Sequence, residues 1–176
     1  MKQFLKKIKL IEEFTTEVEM TKSAFVTKFR QNVDEASIGI FADSFDVFSS
    51  SKNEYKGDVA FDGFKIKRRR RFFGANNNLA IATGTYVQNN EILVINTEIN
   101  GFSKKMIPFY AFIIVFYCIF ISSFFTLDDP DKSKIALPFI CFHALFMFGL
   151  PYFMMMRSTK SLKHDLERDF YFFTKK

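Results

Sequence analysis

Two apolar stretches, residues 106–127 and 135–156, constrain this chain more than any other feature. Each is about 22 residues long, or ~33 Å as α-helix, against a hydrocarbon core of ~30 Å. Neither contains Asp, Glu, Lys or Arg. Only residues 128–134 separate them, so together they read as a transmembrane hairpin. The expected layout has four parts: a basic amino-terminal segment (1–13), a small α+β cytoplasmic domain (14–103), the hairpin (104–156) and an amphipathic cytoplasmic tail helix (157–176).

The roughly 100 residues ahead of the first span suffice for one small domain and not two. The first ten residues carry the positive charge of a signal peptide but no uninterrupted apolar run and no small-residue cleavage site, so they are expected to stay in the cytosol. Cys118 and Cys141 both fall inside the spans, where a disulfide is not expected, and the polar parts have no cysteine. High Lys, Asn, Phe and Ile usage fits an AT-rich bacterial genome. Orientation follows from the basic residues that flank the spans. Lys104, Lys105, Arg157, Lys160, Lys163 and Arg168 flank the two spans on their outer ends, against Lys132 and Lys134 in the connecting loop. This bias puts both termini in the cytoplasm and the short loop in the periplasm of a bacterial inner membrane.

Within the amino-terminal domain, residues 14–20 alternate as a half-buried strand, with Phe14, Thr16, Val18 and Met20 on one face. A helix over 23–34 follows, capped by Thr21 or Ser23, with Phe25, Val26, Phe29 and Val33 at helical spacing. Residues 35–53 are ambiguous between helix and strand, with 49–53 a loop on either reading. From Glu54 the pattern is β. Strands 56–61 and 64–70 flank Asp62-Gly63, and strands 79–88 and 91–100 flank Asn89-Asn90; both dipeptides tolerate the positive φ that tight hairpins need. Residues 74–78 connect the hairpins. The expectation is a four-stranded antiparallel β meander, joined at one edge by 14–20 and covered on one face by the 23–34 helix.

The most unusual polar segment runs from Lys65 through Lys67, Arg68, Arg69 and Arg70 to Arg71. In an extended chain Lys65, Lys67, Arg69 and Arg71 share a face, and Arg68 and Arg70 share the other with Ile66. Close to a membrane, such a cluster with Lys104 and Lys105 suits anionic headgroups or an acidic partner, at ~1 kcal/mol per basic residue. A solvated basic edge strand that resists sheet-to-sheet pairing is the plainer reading. Nucleic-acid binding is disfavoured, although Phe72 and Phe73 follow the run. His143 is the one imidazole inside a span. An intramembrane histidine suggests a function, but the other span offers it only Tyr110, Tyr117, Cys118, Ser122 and Ser123, so a hydrogen-bonded helix contact is expected rather than a metal site or proton path. Pro151 is expected to kink or end the second span. In the tail, Leu162, Leu166, Phe170 and Phe173 recur at helical spacing and are expected to pack on the β domain or on another subunit.

The run from Gly57 to Arg68, followed by the Gly84-Thr85 strand and the hairpin, resembles small bacterial membrane proteins that have a short helix, a β meander and a carboxy-terminal two-helix hairpin. The resemblance covers residues 15–156 and implies the architecture, not an activity. No constellation of nucleophile, base or metal ligands names a reaction. The expected role is that of a non-catalytic accessory or structural subunit of an inner-membrane assembly. Its expected partners are membrane lipids and either other subunits or further copies of itself, with no cofactor and no metal. The alternative is an anionic-lipid-binding or membrane-sensing module.

Overall fold

The computed structural model describes residues 1–38, 51, 53–69, 79–104, 106–125 and 130–174. Arg70, Arg71, Lys105, Phe72, Phe73, the 74–78 connection and most of the 35–53 segment fall outside these. The chain forms two compact units, Met1–Phe102 with Met155–Lys176, and Ser103–Met154.

The first unit is an α+β domain. Its elements are α1 (Lys2–Lys7), β1 (Ile11–Glu19), α2 (Lys22–Gln31), β2 (Val33–Glu35), β3 (Tyr55–Val59), β4 (Gly63–Arg68), β5 (Ile81–Asn89) and β6 (Ile92–Asn100). The six strands form one sheet in the order β1-β6-β5-β4-β3-β2. Strands β3 to β6 make the antiparallel meander, β1 adds antiparallel to β6, and β2 pairs parallel with β3. The strand expected from Phe14 begins earlier, at Ile11, inside the segment read as a separate amino-terminal stretch.

Both tight turns sit one residue away from their expected positions. Val59 pairs with Phe64, and the Ala60 amide donates to the Gly63 carbonyl at 2.9 Å, so the loop residues are Phe61 and Asp62. Likewise Asn89 pairs with Ile92, leaving Asn90 and Glu91 in the turn, with Asn90 at φ 54°. Asparagine accepts this left-handed geometry because its short amide bonds to nearby backbone.

Period-2 alternation gives the sheet two unlike faces. Leu93, Ile95 and Ile99 of β6 point with Ala82 and Tyr86, Phe64 and Ile66, and Tyr55 and Val59 into a buried core. Helix α2 lays Phe25, Val26 and Phe29 on this face, entered through Thr21, whose hydroxyl accepts from the Ala24 amide. Phe29 and Phe64 meet edge to face at 5.2 Å between centroids. Gly84 lies directly beneath the Phe64 ring, with 2.2 Å between a ring carbon and the place a Cβ would take. The absence of a side chain there lets the aromatic cluster settle on the sheet.

Met106–Phe125 forms α3 and Pro130–Thr174 forms α4. Pro151 does not end the second span, and the tail is not a separate helix: α4 is one helix of 45 residues containing Pro138 and Pro151, and it starts at Pro130, inside the expected loop. Each proline removes one N–H···O=C bond, and a long helix with intact turns on either side accommodates that loss. Windows Met106–Ser123 and Leu137–Phe173 are long and apolar enough, by length and composition, to cross a membrane.

The carboxy-terminal part of α4 belongs to the first unit and completes its core. Leu162, Leu166 and Phe170 are buried at spacings of four, with Phe173 packed partly buried beside them. Phe170 contacts the rings of Phe14, Phe25, Phe29 and Phe64. In the second unit, Ile113 and Tyr117 of α3 bury against Ile140 of α4, with Ala144, Met147 and Phe148 alongside.

Candidate functional site

The basic run divides according to the pleat of β4. This strand lies between β3 and β5, so the edge-strand reading of the run does not hold for residues 63–68. Lys65 is exposed, whereas Lys67 is buried. Arg68 points to the covered face and bonds Asp165 of α4 and Glu54, the latter at 3.3 Å. Arg69, just beyond the strand and 8% exposed, bonds Asp34 of β2. Asp34 also accepts from the Asn53 amide at 2.7 Å. Burial pushes the Asp34 carboxyl up, but hydrogen bonds from Ser51 and Asn53 and the charge of Arg69 more than offset this and hold it below the usual range. Lys104 is exposed in the second unit.

Arg68 belongs to a chain of charges along the sheet–tail seam. Tyr55 donates its phenol to Asp169 at 2.6 Å, and Arg168 reaches both Asp169 at 3.1 Å and Asp165 at 3.8 Å. Lys163 pairs with Glu12 of β1 at 3.3 Å. Ser158 accepts from the amides of Leu79 and Ala80, both at 3.0 Å, which satisfies backbone donors just ahead of β5. Asn32, Asn53, Glu54, Tyr55, Arg168, Asp169, Phe172 and Phe173 line a shallow cleft beside this seam. Burial, followed by the hydrogen bond to Asp169, raises the Tyr55 phenol well above its ordinary value. Sequence reasoning missed the role of Asp165 and Asp169; each stands three residues after a leucine of the stripe, Leu162 and Leu166 respectively, which was the available sign that they flank it.

The opposite face of the sheet is polar at its centre. Glu13, Thr15, Thr83, Thr85, Asn96 and Glu98 surround a concavity floored in part by Gly84. Glu13 and Glu98 stand directly opposite each other on β1 and β6. Like charges in that register repel, and α1 answers them with Lys6 at 2.6 Å from Glu13 and Lys2 at 2.5 Å from Glu98. The hydrogen bond from Lys6 leads the groups that draw the Glu13 carboxyl down. Toward the β5–β6 turn the same face becomes apolar, with Val87 47% exposed, Ile92 41% exposed and Val94 half-buried.

In the second unit, His143 and Tyr117 form a hydrogen bond between imidazole Nδ1 and phenol at 2.5 Å. Phe139 stacks on the imidazole at 6.4 Å between centroids. Cys118 and Cys141 are free thiols, and Ser122 and Ser123 turn their hydroxyls back to the carbonyls of Cys118 and Ile119. Among the described residues no three His, Cys, Asp or Glu side chains converge as a metal-binding group. Comparison with known protein families, curated proteins and solved structures finds no match.

Proposed function

We propose that this chain is a non-catalytic accessory or structural subunit of a bacterial inner-membrane assembly. In this reading α3 and α4 cross the bilayer, both termini lie in the cytoplasm, and the short connection lies in the periplasm. The observation that carries it is the apolar end of the open sheet face. Val87, Ile92 and Val94 form a patch that no described element covers, beside the Thr and Asn concavity. Exposed apolar area rimmed by polar groups is the usual signature of a protein contact surface. The other face already has its cover, because the tail supplies Leu162, Leu166 and Phe170 to the domain's own core.

The pairing pattern along the basic run bears on the anionic-lipid alternative. A headgroup surface needs cations free to meet phosphate, yet Arg68 and Arg69 are engaged with Asp165, Glu54 and Asp34, and Lys67 is buried. Lys65 and Lys104 are the exposed cations of this set among the described residues.

A photocrosslinking amino acid placed at Val87 or Ile92 of the full chain, in native membranes, tests the subunit reading. The expected result is capture of one discrete polypeptide from both positions. Adducts with lipid alone, or none, would contradict it.

A further inference from the structure

His143 has one ring nitrogen satisfied and one not. Nδ1 is bonded to Tyr117, and Nε2 has no partner among the described residues. Along the span 135–156 the residue sits within about 4 Å of the centre at 1.5 Å per residue. Tyr117 lies within about 1 Å of the centre of 106–127 on the same scale. A polar nitrogen at that depth in hydrocarbon is costly unless it is hydrogen-bonded. A neutral imidazole carries one donor and one acceptor nitrogen. Two of them can therefore satisfy each other, and the phenol on each far side, in one chain of bonds.

The surface around His143 has the matching pattern. Phe139, His143, Phe146, Leu150 and Phe153 recur at spacings of four, three, four and three, and all are exposed. This is the heptad seam of left-handed helix pairing. At 100° per residue the seam is centred about 120° around α4 from the Ile140, Ala144, Met147 and Phe148 face that packs on α3. The seam can therefore pack on a further helix while the other face stays on α3.

We infer that the hairpin binds a second copy of this chain through the Phe139–Phe153 seam of α4, with His143 of each copy facing the other across a two-fold axis. The inference rests on the membrane-crossing reading and names the partner for that part of the chain.

The test uses the full chain in native membranes with Cys118 and Cys141 replaced by Ala. Single cysteines are introduced by Phe146→Cys or Leu150→Cys on the seam, or by Leu145→Cys about 120° around the helix from it. Oxidation is expected to give disulfide-linked dimers of this chain from the two seam positions and not from Leu145→Cys. Adding His143→Phe is expected to lower the Leu150→Cys yield about fivefold, and His143→Gln is expected to restore most of it. Dimers that form equally from all three positions, or from none, would overturn the proposal. A yield indifferent to His143→Phe would do the same. Alkaline carbonate extraction of the same membranes separates the two readings. Release of the chain means that the membrane-crossing reading has failed, whereas retention without seam-specific crosslinks refutes the dimer alone.

Discussion

Arg68 in the middle of the sheet and Asp165 on the tail helix form an ion pair whose side chains are only 22% and 10% exposed. More than 60 residues of apolar and connecting sequence lie between β6 and Asp165, yet the pair and the leucines beside it make the tail part of the sheet domain. Replacing Asp165 by Asn leaves the Arg68 guanidinium half-buried, with Glu54 as its remaining counter-charge among the described residues. A cost of about 2–3 kcal/mol is expected, less than for a fully buried pair because Glu54 remains. Denaturant unfolding of the purified chain, followed by tyrosine near-ultraviolet signals, measures it. A double-mutant cycle with Arg68→Met should return a coupling above ~1 kcal/mol.

Phe170 is fully buried among five other aromatic rings, while its neighbour Tyr171 is exposed. Phe170→Ala is expected to cost about 3–5 kcal/mol, the range for an emptied aromatic site in a packed core. Tyr171→Ala should stay within ~0.5 kcal/mol. Limited proteolysis reports the difference, with early cleavage between residues 157 and 174 in the Phe170 variant only.

Tyr55 and Tyr86 predict a loss of stability at alkaline pH. Burial raises both phenols, with the hydrogen bond to Asp169 adding to the effect at Tyr55. In the unfolded chain they ionise near pH ~10. Their contribution is therefore complete below that pH and is lost as the pH rises above it, because the folded state holds protons that the unfolded state releases. Each should add about 1.4 kcal/mol per pH unit to the decline. Unfolding measured between pH 9 and 12 checks this, and Tyr86→Phe should flatten the slope. Tyrosinate absorbance should show these two phenols titrating only as the domain unfolds.

Gly57 adopts φ 147°, and a Cβ there would stand 2.2 Å from the Lys65 carbonyl oxygen of the paired strand. Backbone, not a movable side chain, blocks the site. Gly57→Ala is expected to destabilise the domain by more than ~2 kcal/mol through combined strain and clash. Comparison of its unfolding midpoint with that of an exposed control, Thr83→Ala, tests the point.

The sheet was legible in the sequence where local chemistry and long-range pairing agree. The meander, the α2 cover with Phe25 and Phe29 inward, and the edge position of the first strand all follow from alternation and helical spacing. The turns shifted by one residue because the registers Val59–Phe64 and Asn89–Ile92 decide the loop, and a favourable dipeptide is only a local preference. Strand β2 escaped because Val33-Asp34-Glu35 is too short for a period, and its parallel partner lies about 20 residues away. The continuity of α4 through Pro151 is not legible from the proline itself, because the long helix on either side of it tolerates the lost bond. The ion pairs of Arg68 and Arg69 were illegible for a further reason. A run of cations reads as one surface, and only the fold shows which members face Asp165 and Asp34.

The central claim, that this chain works as a subunit, is tested most directly by the mass of the intact particle. Extraction from native membranes in mild detergent, followed by native mass measurement, is expected to give a particle holding at least two polypeptides and bound lipid. A stable particle with the mass of one chain, across detergents that preserve other inner-membrane complexes, would contradict it.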